Sequence, residues 1–168
     1  MSGNPEKIKN IVDPYERKVA GFLDRIGFSF VSSRSMFKKS DAEIAREIDL
    51  LFTFKKCTFI IEVSTVKSGR NFKIIAFMYR WNRKKNLERL KKKHPAIPNR
   101  VMRIFFDLSK PTPENKSQDV EESTEDAGNM IIYKDKFEKL YSNQDAEQAI
   151  EDFLGFNWLR RTAKISRF

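Results

Sequence analysis

The stretch from Glu47 to Ser64, EIDLLFTFKKCTFIIEVS, constrains the fold of this chain more than any other. Two runs rich in β-branched and aromatic residues flank Lys55 and Lys56, the composition of an antiparallel hairpin. Side chains alternate across a strand. One face then carries Ile48, Leu50, Phe52, Phe54, Cys57, Phe59, Ile61 and Val63 and must be buried. The other carries Glu47, Asp49, Leu51, Thr53, Thr58, Ile60, Glu62 and Ser64, apolar in its middle and acidic at one end. A two-residue turn at Lys55-Lys56 and a four-residue turn from Phe54 to Cys57 give the same register. Either way Asp49 faces Glu62. Lys-Lys is not a favoured two-residue turn, so the longer loop is expected.

Two like charges directly opposite on a sheet are destabilising. If they are also partly buried, one carboxyl holds a proton. A divalent cation removes the conflict. Mg²⁺ and Mn²⁺ take oxygen ligands, commonly one or two protein carboxylates with water and substrate phosphate. Such a site suits metal-assisted phosphodiester hydrolysis. The alternative is a pair of solvated acids, or acids matched by neighbouring lysines.

The charge downstream favours the first reading. The chain is +10 overall, but between Lys55 and Lys110 there are 16 Lys and Arg against three acids. An electropositive surface is what holds a polyanion. A long basic helix is expected from Phe72 to Lys92, with Ile75, Met78, Tyr79, Leu87 and Leu90 as its buried stripe. Arg70, Arg80, Arg83, Lys84, Lys85, Arg89, Lys91 and Lys92 would contact phosphates beside the site without reading sequence. Trp81 either stacks on an unpaired base or packs on the sheet, packing being favoured. His94, beside Pro95, suits a helix terminus better than a metal. Cys57 reads as a core residue.

Around this centre the remaining elements order themselves. A helix from Pro14 to Ile26 is capped by Asp13, with Glu16 placed for a capping box and Gly27 as its stop. Phe28 to Ser32 reads as a strand, and Ser33 to Arg46 as a loop with a helical turn near Asp41 to Ala45. Val101 to Leu108 and Met130 to Tyr133 read as strands, Lys136 to Leu140 and Asp145 to Leu154 as helices. The order α-β-β-β-α-β-β-α argues for an α/β fold, a mixed sheet of about five strands flanked by helices. One domain is expected over 1–156. Within it, 111–128 holds six acids and one Lys and reads as a flexible acidic loop. A basic tail follows over 157–168. One cysteine excludes an internal disulfide framework and a Cys-built zinc site. No Gly-rich phosphate loop and no Ser-His-Asp set is visible. No apolar run approaches the ~18 residues of a membrane span. The opening MSGNPEKIKN has no apolar signal segment, so a cytoplasmic or nucleoid-associated location is expected.

These residues resemble the PD-(D/E)XK, or restriction-endonuclease-like, nuclease superfamily, over roughly Tyr15 to Leu108. YERKVAGFLDRIGFSF, from Tyr15 to Phe30, looks like its opening helix and first strand. EIDLL looks like its acid-bearing strand, and FIIEVS like the strand carrying E-x-K. Within the superfamily the chain is most similar to archaeal Holliday-junction resolvases and small restriction-type nucleases. The resemblance implies a Mg²⁺- or Mn²⁺-dependent endonuclease acting on DNA rather than RNA, including branched DNA, in some members as a homodimer. It gives Asp49 and Glu62 the role of metal ligands. Glu16 matches a Glu that reaches the metal site in some members, set against its capping-box role. The chain departs from the pattern at Ser64, where the motif has its lysine. Ser64 with Lys67 or Lys73 would then serve the attacking water, although strict alternation turns Lys67 to the wrong face. The rival expectations are a weakened or inactive nucleic-acid-binding module of the same fold, and a protein-interaction subunit whose basic face meets an acidic partner.

Overall fold

Two apolar faces on one sheet require cover on both sides, and helices supply it. The computed structural model describes residues 4–34, 48–115, 117–124, 128–155, 158 and 163–164. Its elements in chain order are α1 (Asn4–Lys9), α2 (Pro14–Arg25), β1 (Ser29–Ser33), β2 (Leu50–Phe54), β3 (Cys57–Ser64), α3 (Arg70–Asn82), α4 (Lys84–Lys93), β4 (Arg100–Asp107), α5 (Gln118–Ser123), β5 (Asn129–Tyr133), α6 (Lys134–Ser142), α7 (Ala146–Leu154) and β6 (Ala163–Lys164). The sheet runs β1-β2-β3-β4-β5, and β6 pairs with β4. The first three strands are antiparallel, and β3, β4 and β5 are parallel. This is an α/β fold with a mixed sheet flanked by helices. The expected helical turn at 41–45, residue 47 and most of the tail lie outside the described residues.

The apolar hairpin face joins Met102, Ile104, Phe106 and Ile132 beneath α2, α6 and α7. The opposite face buries Leu51, Ile60, Val101 and Phe105 beneath α3 and α4. Cys57 is a core residue, and burial pushes its thiol up to about 12.

Four expectations need correction. The hairpin turn is the short one. Phe54 pairs with Cys57, and Lys55 and Lys56 both take positive φ, 45° and 64°. That is the backbone of a type I′ turn, whose twist matches the strands. The sheet's register wins over the lysines' steric preference. Lys55→Asn with Lys56→Gly is therefore expected to stabilise the protein by about 1 kcal/mol in urea denaturation. A loss would mean that the stacking of Lys55 Nζ on the Phe54 ring, 5.3 Å from its centroid, matters more.

The long basic helix is two helices, broken at Arg83, which is extended (φ −76°, ψ 123°). Side chains take over the carbonyls freed there. Asn86 Nδ2 donates to the Arg80 carbonyl at 2.8 Å and Arg103 Nη1 to that of Trp81 at 3.3 Å. The break lets Leu87 and Leu90 turn inward beside Ile97. On α3 the buried stripe is Ile74, Phe77, Met78 and Trp81, while Tyr79 is exposed.

The acidic stretch is not wholly loop. Ser117 Oγ caps α5 by accepting from the Val120 N–H at 3.2 Å. Val120 is buried in the core beneath α3. Finally, Glu16 does not close a capping box. Asp13 Oδ1 accepts from the N–H groups of Tyr15 and Glu16, while the Glu16 carboxylate turns elsewhere.

Candidate functional site

The ends of β1 and β3, the start of β2, and the first turns of α2 and α3 meet at one end of the sheet. They enclose an open cleft of about 380 Å³ lined by Glu16, Asp49, Glu62, Ser64, Lys73 and Arg80, among others. The hairpin register carries Asp49 to the cleft, just before the last regular pair, Leu50 with Ile61. The Val63 N–H donates to Asp49 Oδ2 at 2.9 Å and fixes that carboxylate against β3. Glu62 projects from the same strand, and its carboxyl lines the cleft beside that of Asp49, close enough for the Asp49 charge to bear on it. The two acids stand together, as the alternation requires.

Glu16 is the third acid. It is 2% exposed, and its Oε1 accepts from Arg34 Nη2 at 2.8 Å. Arg34 Nη1 lies 3.3 Å from Asp49 Oδ1, so one guanidinium, half exposed, bridges two carboxylates. The Arg34 backbone N–H also donates to the Asp49 carbonyl at 3.1 Å.

Four carboxyls, those of Asp13, Glu16, Asp49 and Glu62, share the cleft with Arg34, Lys73 and Arg80. Burial, then the charge of Asp49, pushes Glu62 up to about 8. Burial, then Asp49, pushes Glu16 up to about 7, against the pull of Arg34. Burial raises Asp49 as well, opposed by the Val63 N–H and Arg34. Burial and like charge thus push both members of the Asp49–Glu62 pair toward their protonated forms, Glu62 to about 8.

The other expected residues divide. Ser64 is buried in the cleft wall, where its Oγ accepts from the Val66 N–H at 3.3 Å. Lys73 and Arg80 line the cleft from α3, and the Arg80 charge pulls Glu62 downward. Lys67 is exposed and does not line the cleft. Arg70 reaches Ser109 Oγ at 3.5 Å. The remaining basic residues are not beside the acids. Arg83, Lys84, Lys85, Arg89, Lys91 and Lys92 follow α3 and do not line the cleft. Lys91 Nζ instead donates to the Ile97 carbonyl near the far end of the sheet. Trp81 is fully buried, so it packs and does not stack on a base. His94 ends α4 with its backbone N–H on the Leu90 carbonyl, and burial lowers its imidazole.

Arg34 and Phe72 also belong to the site and carried no motif. Phe72 lines the cleft and is 75% exposed. Among the described residues no group of three or more His, Cys, Asp or Glu side chains is arranged to hold a metal ion. No helix among them is long and apolar enough to cross a membrane. No family model, no curated protein and no solved structure gives a significant match to this chain.

Proposed function

We propose that this chain is a divalent-cation-dependent endonuclease of the restriction-endonuclease-like fold, acting on DNA, branched or structured DNA included. The observation that carries the reading is the Asp49–Glu62 pair: two carboxyls on neighbouring strands that line one cleft, walled by Lys73 and Arg80. The order of α2, a three-stranded antiparallel meander, α3 and a parallel β4 agrees with the motif resemblance.

The donor set fits a hard cation. It is all oxygen, and Asp49 Oδ1 is buried with no hydrogen-bond partner among the described residues, its one polar neighbour being the Arg34 guanidinium at 3.3 Å. Asp49 and Glu62 would hold Mg²⁺ or Mn²⁺, with Glu16 held in reserve by Arg34. When bound, the ion supplies Lewis-acid stabilisation of the phosphodiester and a more acidic water. The chain does the rest. Glu62 would give its proton to solvent on serving as a ligand. The Val63 N–H keeps Asp49 in place. Lys73 and Arg80 orient the phosphate backbone along α3. Ser64, two residues beyond Glu62 on the same strand face, offers a hydroxyl that positions water.

A second reading rests on Ser64 itself. A hydroxyl in place of the motif lysine brings no positive charge, so a binding module without hydrolysis is the rival. Cleavage of single-stranded, duplex and branched DNA in Mg²⁺, Mn²⁺ or EDTA decides between them, with Asp49→Ala as control. Cation-dependent cutting that Asp49→Ala removes is expected. Binding without cutting, equal in wild type and variant, would leave the rival standing.

A further inference from the structure

The cleft has an aromatic lip that neither the hydrolytic chemistry nor the core uses. Phe72 sits in the first turn of α3 with three quarters of its surface in solvent. A single exposed apolar residue is ordinary. Its surroundings here are not. Phe72, Lys73, Ala76 and Arg80 follow one another down the helix at spacings that share a face, and all four line the cleft. Val66, 43% exposed, lines it too. The order along that wall is therefore ring, ammonium, a small gap at Ala76, guanidinium. Across from it lie the carboxyls.

We propose that Phe72 is a stacking platform for a nucleobase, so that the cleft takes a strand with an unstacked nucleotide rather than an intact duplex. The inference deepens the nuclease reading and rests on it for the polyanionic ligand. Lys73 and Arg80 are placed to hold phosphates of any nucleic acid. A flat exposed ring beside them gains contact only if a base face is free, and inside a duplex every base face is covered by its neighbours. Stacking on an aromatic side chain is sequence-tolerant, since every base has a π-face. The specificity so conferred is for structure: single strands, flaps, junction ends or frayed termini. Of the other aromatics on this helix, Phe77 and Trp81 are buried, and Tyr79, though exposed, does not line the cleft.

Fluorescence anisotropy tests this with a short single-stranded oligodeoxynucleotide and a blunt duplex of the same sequence. Both are titrated in Ca²⁺, with wild type, Phe72→Ala, Phe72→Trp and Asp49→Ala. Phe72→Ala is expected to weaken single-strand binding by about 10-fold and duplex binding by less than about 2-fold, and Phe72→Trp to restore it. Phe72 is exposed, so a melting point equal to wild type certifies the fold of the variant. Equal losses on both ligands, no loss on either, or no binding by wild type would overturn the platform. The two readings separate. Cation-dependent cleavage with single-strand binding indifferent to Phe72 removes the platform and leaves the nuclease. Phe72-dependent single-strand binding without cleavage by wild type removes the nuclease and leaves the platform.

Discussion

Glu62→Gln is expected to slow cleavage by ~10³-fold or more and, in the same protein without metal at pH 8, to raise the melting temperature. The two effects have one cause. In an unfolded chain the Glu62 carboxyl titrates near 4.5, and in the fold it is pushed up to about 8. The folded state therefore binds this proton more tightly than the unfolded one. Its contribution to stability is complete below about pH 4.5 and is lost as pH rises through 8. Glu16, raised to about 7, adds a loss of the same sign over the lower part of that window. Metal-free wild type should thus become less stable from pH 5 to pH 8. The amide introduced by Glu62→Gln carries no charge at either pH, so the variant escapes the loss.

The gain at pH 8 is about 1–2 kcal/mol, well below the full value of the shift, because the cleft is open and Glu62 is only partly buried. For a chain of this length that is roughly 3–6 °C. At pH 5 no gain is expected. Scanning calorimetry in EDTA at the two pH values checks it, and a variant that melts lower than wild type at pH 8 refutes the account. Adding Mn²⁺ at pH 8 should raise the melting point of wild type and leave that of Glu62→Gln nearly unmoved. A site that costs the empty protein stability is what a functional constellation looks like in thermodynamic terms.

Much of this site was legible in the chain because alternation is a strict constraint. Asp49 and Glu62 share a face under either turn length, so misjudging the Lys55-Lys56 turn did not move them. Where no such constraint operates, local reading fails. The break at Arg83 carries neither Gly nor Pro, and it is stabilised by Asn86 and Arg103, the latter reaching over from β4. Val120 is one apolar residue in an acidic stretch and makes no period, yet it is what seats α5. Arg34 is hidden by a bulge. The pairing of β1 with β2 slips between Phe30 and Ser32, so counting from the hairpin misplaces whatever follows Ser33. Glu16 could be assigned either to a cap or to the site. Only Arg34, invisible beforehand, decides it.

The missing motif lysine leads to the second large effect. Strand alternation and exposure both set Lys67 aside, while Lys73 stands on the cleft wall one helical turn from Ala76 and two from Arg80. An ammonium aimed at developing charge on a phosphodiester is worth a few kcal/mol of barrier. Lys73→Ala is therefore expected to lower the single-turnover cleavage rate by ~10²-fold while DNA affinity falls only a few-fold. Lys67→Ala should match wild type within about 2-fold. Lys73→Arg should recover only part of the rate, since a planar guanidinium is not a compact ammonium in reach or hydration. If Lys67→Ala is the variant that loses the rate, the β3–α3 connection carries the catalytic cation and the cleft wall does not. If neither variant loses it, Arg80, whose charge already bears on Glu62, is the group left to supply it, and Arg80→Ala must then produce the loss.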